Sequence, residues 1–157
     1  MGVEVSSIEA AVVALQKQLE SLDVDVLSGT LAARVVDVLT PMKHCLDAVV
    51  VAAAARAVSV NQHNVDGARS GAAWIAAKSG VSEKQARSDL ATQKLLSELA
   101  DVGSAVRSGE LSLQKASLIG RAADGDASRA SELLAVARRG LPQVWLTRLL
   151  DVDVMPP

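Results

Sequence analysis

The sequence predicts an all-α protein. Half of the 157 residues are apolar, yet there is no Phe, no Tyr and only two Trp. Alanine occurs 27 times, and it has the highest helix propensity because its side chain loses no conformational entropy in a helix. Apolar residues recur at helical spacing, and no segment shows the alternation typical of a strand.

Residues 1–58 are predicted to form a long helical hairpin, an arm with coiled-coil-like spacing. In each of two runs the apolar residues alternate in steps of 4 and 3, the pattern that brings one helix against another. Turn formers at 23–30 separate the runs, and Thr30 is expected to start the second helix. The predicted oligomer seam comprises Ile8, Val12, Leu15, Leu19, Val35, Val38 and Met42.

Pro41 lies inside the second run and has two interpretations. It kinks or splits the helix, because proline lacks a backbone donor and clashes with the preceding turn. Alternatively, Thr40 caps a new helix with Pro41 at its first position. The apolar spacing continues past it in both cases.

A polar connector is predicted at 59–66 and a multi-helix body at 67–150. A helix is expected that is capped by Ser70 and extends as far as Lys78. Gly80 is expected to adopt the left-handed conformation after its end. Ser82 and Gln85 form a predicted capping box that starts a helix from Glu83 to about Leu99. The remaining predictions are a short helix to Ser108, a helix at 113–123 capped by Ser112, a helix capped by Ser128 and ending near Arg139 and Gly140, a helix from Pro142 to about Leu150, and a tail at 151–157.

The segment 66–87 is typical of a helix-turn-helix unit, in which two short helices meet at a glycine turn and the second helix is presented to DNA. The exposed start of the second helix is where base edges and phosphates are contacted. A plain helical corner fits the same sequence, and Asp89 departs from the pattern because an apolar residue is usual there. The predicted DNA-binding residues are Lys78, Lys84, Gln85, Arg87 and Lys94.

Charge is distributed unevenly along the chain. The net charge is −2, but it is −4 over residues 1–66, +3 over 67–121 and −1 over 122–157. The positive segment contains the helix-turn-helix-like unit, which favours a localised contact with nucleic acid. A solvated helical face would give the same modest excess.

No motif in the sequence predicts catalysis. There is no phosphate-binding glycine loop, no pair of carboxylates spaced for acid–base chemistry and no metal-ligand spacing, so we expect no enzyme activity, no cofactor, no metal and no small-molecule substrate. The single cysteine, Cys45, excludes an intramolecular disulfide and suits a reducing cytoplasm. No signal peptide or membrane segment is expected.

Five residues are expected to be structural. Trp74 and Trp145 are interpreted as core anchors, although a tryptophan can also stack on a base. Gly80 and Ser82 form the turn. Arg69 is expected to bond to a carbonyl or carboxylate and so fix the connector against the body.

The run Asp66-Gly67-Ala68-Arg69-Ser70 with Ala73-Trp74-Ile75-Ala76 resembles the hallmark of the DUF222 family, also called the 13E12 repeat family. Gly80-Val81-Ser82 with Ala86-Arg87, and Gly109-Glu110-Leu111-Ser112 with Ala116 and Ile119, resemble the recurring units that follow. The resemblance spans most of residues 24–150.

In that family this region typically precedes an HNH endonuclease domain in actinobacterial proteins. The resemblance therefore implies a DNA-related role, such as target binding or assembly beside a nuclease, but no HNH segment is present in this sequence. Two hypotheses follow: a non-catalytic DNA-binding or targeting module, and a helical module for oligomerisation or protein interaction without DNA contact. A homo-oligomer is compatible with both.

Overall fold

The computed structural model of the protein describes residues 4–139, and this part of the chain is all-helical. It contains eight α-helices, one 3₁₀ turn at Val24–Val26 and no strand. The expected anchor Trp145, the helix at 142–150 and the tail at 151–157 lie outside the described residues. The helices are α1 Val5–Glu20, α2 Gly29–Ser59, α3 Gln62–Val65, α4 Gly71–Ser79, α5 Glu83–Glu98, α6 Ala100–Arg107, α7 Leu113–Ala123 and α8 Ala127–Arg138.

The chain divides into two compact units, Met1–Val38 and Leu39–Pro157. In the first unit, α1 buries none of its residues. Its apolar residues at seam positions are all exposed, as is Val38, whereas Val35 is half-buried. The predicted hairpin and its apolar seam therefore remain a proposal. The division falls within α2, inside the predicted arm.

The start of α2 differs from the prediction. The helix begins at Gly29, and the hydroxyl of Ser28, rather than Thr30, accepts a hydrogen bond from the backbone N–H of Leu31 at 3.3 Å. Pro41 lies in the interior of this helix, which is 31 residues long and continues past the proline to Ser59. No new helix begins at Pro41, so the interpretation of Thr40 as a cap is wrong.

α2 is long and apolar enough to cross a membrane by length and composition, and only 11% of its most apolar stretch is buried. The core helix of a soluble protein passes the same test. The expected absence of a membrane segment, like the cytoplasmic location, stays a prediction.

The main core of the second unit lies among α5, α6, α7 and α8. Its largest fully buried side chains are Ile119, Leu134, Val102 and Val106. Small residues let the helices approach closely: a Cβ atom added at Gly120 would lie 3.3 Å from a methyl group of Leu95. A core of small aliphatic side chains thus compensates for the scarcity of aromatic residues.

The connector is less extended than its polar sequence suggests. α2 ends at Ser59, Asn61 adopts the left-handed conformation, and residues 62–65 form the short helix α3. This turn of helix was not predicted, because four residues are too few to show a periodicity.

Two turns in the second unit each combine a left-handed glycine with a serine that caps the next helix. Gly80 and Gly109 are left-handed, with φ of 70° and 80°. Ser82 and Ser112 each accept a hydrogen bond from the backbone N–H three residues later, at 3.1 and 3.3 Å. In both helices the alanine four residues after the serine is buried. The two turns therefore share a left-handed glycine and a serine cap, although two residues separate Gly109 from Ser112 and only one separates Gly80 from Ser82.

The cap of α8 also differs from the prediction. Asp126, not Ser128, is the capping residue, and its carboxylate accepts hydrogen bonds from the backbone N–H groups of Ser128 and Arg129 at 2.8 and 3.2 Å. Both residues are good caps, so sequence alone did not separate two candidates two positions apart.

Candidate nucleic-acid interface

The corner between α4 and α5 is held by a small apolar cluster. Ala72 and Ile75 of α4 are buried against Ala86 of α5, with Trp74 and Leu90 packed at the edge. Ala86 is completely buried, so the two helices approach closely. Ser70 caps α4 and Ser82 caps α5 through their side chains, as predicted.

Helical geometry places three of the predicted DNA-binding residues on one side of α5. Successive residues are rotated by about 100° around a helix axis, so Lys84, Arg87 and Lys94 fall within an arc of about 80°. All three are exposed. We call this surface the outer face of α5.

The outer face also carries acidic residues. Glu98 lies within the same arc and Glu83 lies just beyond its edge, and the Glu83 carboxylate lies 3.6 Å from a guanidinium nitrogen of Arg87. Glu83 also forms an ion pair with Arg69. Glu83 was not among the residues predicted from the sequence, although an acidic residue at the first position of a helix is common and can pair with nearby cations. The positive potential of the face is therefore moderate.

The other two predicted residues lie elsewhere. Gln85 is rotated by about 160° from Arg87, and Lys78 belongs to the last turn of α4. Both line the concave side of the corner, which faces α2 and α7. The structure therefore does not bring Lys78 and Gln85 onto the outer face.

The predicted capping box is only half formed. The Ser82 hydroxyl accepts from the Gln85 backbone N–H, but the Gln85 side chain does not reach back to the cap. Its Nε2 instead donates to Asp89 at 2.8 Å. Asp89, which departs from the helix-turn-helix pattern, therefore has a hydrogen-bond partner on its own helix. The apolar contact with α4 that is usual at its position is made by Leu90.

Trp74 is half-buried and has two polar neighbours. Its indole Nε1 donates to the Asp66 carboxylate at 2.6 Å, and the ammonium of Lys78 lies 5.7 Å from the ring centroid. Gln62 also donates to Asp66, at 2.9 Å. The hydrogen bond from Trp74 makes the largest contribution to lowering the pKa of Asp66 below its ordinary value. Gln62 and Lys78 make smaller contributions in the same direction. Trp74 thus links the connector to α4.

Arg69 contacts a carboxylate, that of Glu83, at the beginning of α5. The pair bridges the residues before α4 to the start of the next helix, but the Arg69 side chain is 77% exposed. Its structural role remains a prediction. A similar bridge joins Arg138 of α8 to Glu110, with nitrogen–oxygen distances of 2.5 and 3.1 Å.

No cofactor or metal site is assigned to these residues. Within residues 4–139, no three His, Cys, Asp or Glu side chains are grouped so as to hold a metal ion. His44, the neighbour of Cys45, has its Nδ1 3.2 Å from the carbonyl oxygen of Gly109. The absence of enzyme activity stays a prediction.

Comparison of the chain with protein-family models, with curated proteins and with solved structures gave no match. The resemblance to the DUF222 family therefore rests on the motifs in the sequence.

Proposed function

We propose that the protein is a non-catalytic DNA-binding or targeting module, in which α4, the turn at Gly80 and α5 act as a helix-turn-helix unit. The observation that carries the proposal is the outer face of α5, where Lys84, Arg87 and Lys94 are exposed together while the opposite side of the helix packs in the core. A helix anchored in this way can enter a groove without losing its packing.

The spacing of these cations suits a duplex. Ten residues separate Lys84 from Lys94, which is about 15 Å along a helix. A recognition helix lies in the major groove, which is bordered by phosphates, so cations spread over this length can contact phosphates at separate points of the backbone. Lys84 and Lys94 take part in no ion pair among the described residues.

Arg87 is the cation best placed to exchange its partner. Its side chain is 65% exposed and its contact with Glu83 is long, so the pair is weak in water. A phosphate can replace the Glu83 carboxylate without the loss of a buried bond. The DUF222 resemblance, which implies a DNA-related role, supports the same reading.

Replacement of Lys84, Arg87 and Lys94 by Ala tests this assignment. We expect the triple variant to bind a labelled duplex at least tenfold more weakly than the wild type in fluorescence anisotropy at low salt, because three phosphate contacts are lost. The matched control replaces Lys17, Arg34 and Arg129, three exposed cations on other helices, and should retain most of the affinity. Equal losses in the two variants would mean that only net charge matters and would contradict the assignment.

A second candidate function, helical self-assembly, is favoured by the exposure of α1. Val5, Ile8, Val12, Leu15 and Leu19 repeat at heptad spacing and are all exposed in a helix that buries nothing. A monomeric soluble protein seldom leaves such a contiguous apolar surface uncovered. We propose that α1 and the seam residues Val35 and Val38 at the start of α2 form a coiled-coil-like arm, through which the chain assembles.

Light scattering of the wild type and of a Val12→Glu, Leu15→Glu variant tests the assembly. We expect the wild type to have at least twice the mass of one chain and the variant to be monomeric, because charges at a and d positions oppose seam formation. Val13→Glu, which changes an exposed valine beside the seam, should leave the mass unchanged. A monomeric wild type over a wide concentration range would remove this candidate.

A further inference from the structure

A groove of about 1160 Å³ in the second unit has no role in the functions proposed so far. It lies between the part of α2 from Lys43 to Ala54, the α4–α5 corner and the part of α7 from Leu113 to Arg121. Lys78 and Gln85, which the outer face of α5 does not include, are among its lining residues. We refer to it as the groove.

One wall of the groove is apolar and exposed. Leu46 and Val50, one turn apart on α2, are 46% and 51% exposed, and Ala54 continues the same row. Half-buried apolar residues extend this wall across the groove: Val51, Val81, Leu90 and Leu113. Adjoining apolar side chains that remain in contact with water mark a surface for another protein.

The charges around the wall are predominantly positive. Four cations line the groove, namely Lys43, Lys78, Lys115 and Arg121, against the two carboxylates Asp47 and Asp89. Asp89 already accepts a hydrogen bond from Gln85. None of the four cations forms an ion pair among residues 4–139. An occupant with negative charge beside an apolar stripe would complement both features.

The shape and chemistry of the groove select among possible occupants. A small-molecule pocket encloses its ligand in roughly 300–1,000 Å³, whereas this groove is larger and open along one side. A nucleic acid presents charged phosphates and would gain nothing from Leu46 and Val50. A helix about 10–12 Å wide, apolar on one side and acidic at its edges, satisfies the wall and the cations together.

We propose that the groove binds an acidic amphipathic helix of a partner protein. The apolar stripe of that helix packs on the row of Leu46, Val50 and Ala54 and against Leu90 and Leu113. Its carboxylates lie near Lys43, Lys115 and Arg121. The proposal is independent of DNA binding, because the groove and the outer face are on different sides of α5.

Synthetic helical peptides of 16 residues test the proposal. The probe carries Leu at helical spacing i, i+3, i+4, i+7 and Glu at the flanking positions, with a fluorophore for anisotropy. We expect it to bind the full chain, and we expect salt to weaken the binding. A peptide with Lys in place of Glu, and one with the same composition in scrambled order, should each bind at least tenfold more weakly. Equal binding of all three peptides would overturn the proposal.

Two neighbouring valines on α2 provide a matched pair of variants. Val49 and Val50 are both 51% exposed, but only Val50 lines the groove. Val50→Glu should lower the affinity for the acidic peptide at least tenfold, whereas Val49→Glu should leave it unchanged. The same loss in both variants, or no loss in either, would contradict the assignment.

A charge reversal tests the recognition without altering the apolar wall. Arg121→Glu should weaken binding of the acidic peptide and strengthen that of the Lys peptide, while Arg129→Glu, outside the groove, should change neither. If the full chain is a dimer that Val50→Glu dissociates, the groove is an interface between copies and the proposal is wrong. The proposal is also wrong if a DNA duplex displaces the peptide and Arg121→Glu abolishes duplex binding.

Discussion

At the scale of single residues, Asp66 connects the segment before α4 to Trp74. Its carboxylate accepts hydrogen bonds from the indole and from Gln62, and these bonds lower its pKa below the ordinary value of 3.8. A carboxyl group whose pKa is lowered in the folded state stabilises the protein at pH values above the ordinary pKa of that group. That stabilisation is lost as the pH falls through the folded-state value.

The comparison of wild type with Asp66→Asn measures this contribution, with Trp145→Phe in both backgrounds so that Trp74 alone reports by fluorescence. The wild type should melt at a higher temperature than the variant at pH 7, and the difference should shrink as the pH falls below 3.8. A difference that stays constant between pH 7 and pH 2 would show that the hydrogen bonds to the ionised carboxylate are not its source.

The substitution Arg69→Ala tests whether the ion pair between Arg69 and Glu83 stabilises the fold. The pair is largely exposed, and such pairs contribute roughly 0.2–1 kcal/mol to the free energy of unfolding. Arg69→Ala should therefore lower the melting temperature by no more than about 4 °C, with DNA affinity nearly unchanged. A large loss of DNA affinity at unchanged stability would instead make Arg69 part of the DNA contact.

At the scale of elements, Gly80 and Gly109 are both left-handed but have different surroundings. A Cβ atom added at Gly80 would meet nothing within 4 Å, whereas one added at Gly109 would lie 2.2 Å from the backbone carbonyl oxygen of Pro41. The Gly109 turn is therefore packed against α2, and the Gly80 turn is open.

The pair Gly80→Ala and Gly109→Ala separates conformational strain from steric clash. Gly80→Ala should cost about 1–2 kcal/mol of unfolding free energy, the penalty of the left-handed conformation for a residue with a Cβ atom. Gly109→Ala should cost clearly more, because the backbone of α2 has to move. Urea denaturation measures both values, and equal costs would show that Gly109 is not packed against Pro41 in solution.

The local sequence predicted the caps of α4, α5 and α7 but not those of α2 and α8. Ser70, Gly80, Ser82 and Ser112 were placed correctly because their conformations are set by hydrogen bonds to residues within four positions. The side chain of Gln85 was misplaced because its two partners, the cap and Asp89, lie at similar distances along the helix. The choice between them depends on energies that the pattern does not contain.

At the scale of the whole molecule, periodicity predicted helices but not their partners. The heptad spacing of α1 is compatible with a contact to α2, to a second copy or to another protein, because the same apolar stripe serves all three. The predicted DNA-binding residues of α5 do not all lie on one face of the helix. Gln85 and Arg87 are two residues apart and therefore point in different directions. The groove could not be predicted, because α2, α5 and α7 are distant in sequence.

The salt dependence of DNA binding is the most direct test of whether the outer face of α5 contacts DNA. The wild type and the Lys84, Arg87, Lys94 triple variant are titrated with a labelled duplex in a series of salt concentrations. The account predicts that the wild-type affinity falls steeply with salt, and that the slope of the logarithmic plot becomes shallower by about 1 for each cation removed. No binding by the wild type at low salt, or the same slope in both proteins, would contradict the assignment of the outer face of α5 as a DNA-binding surface.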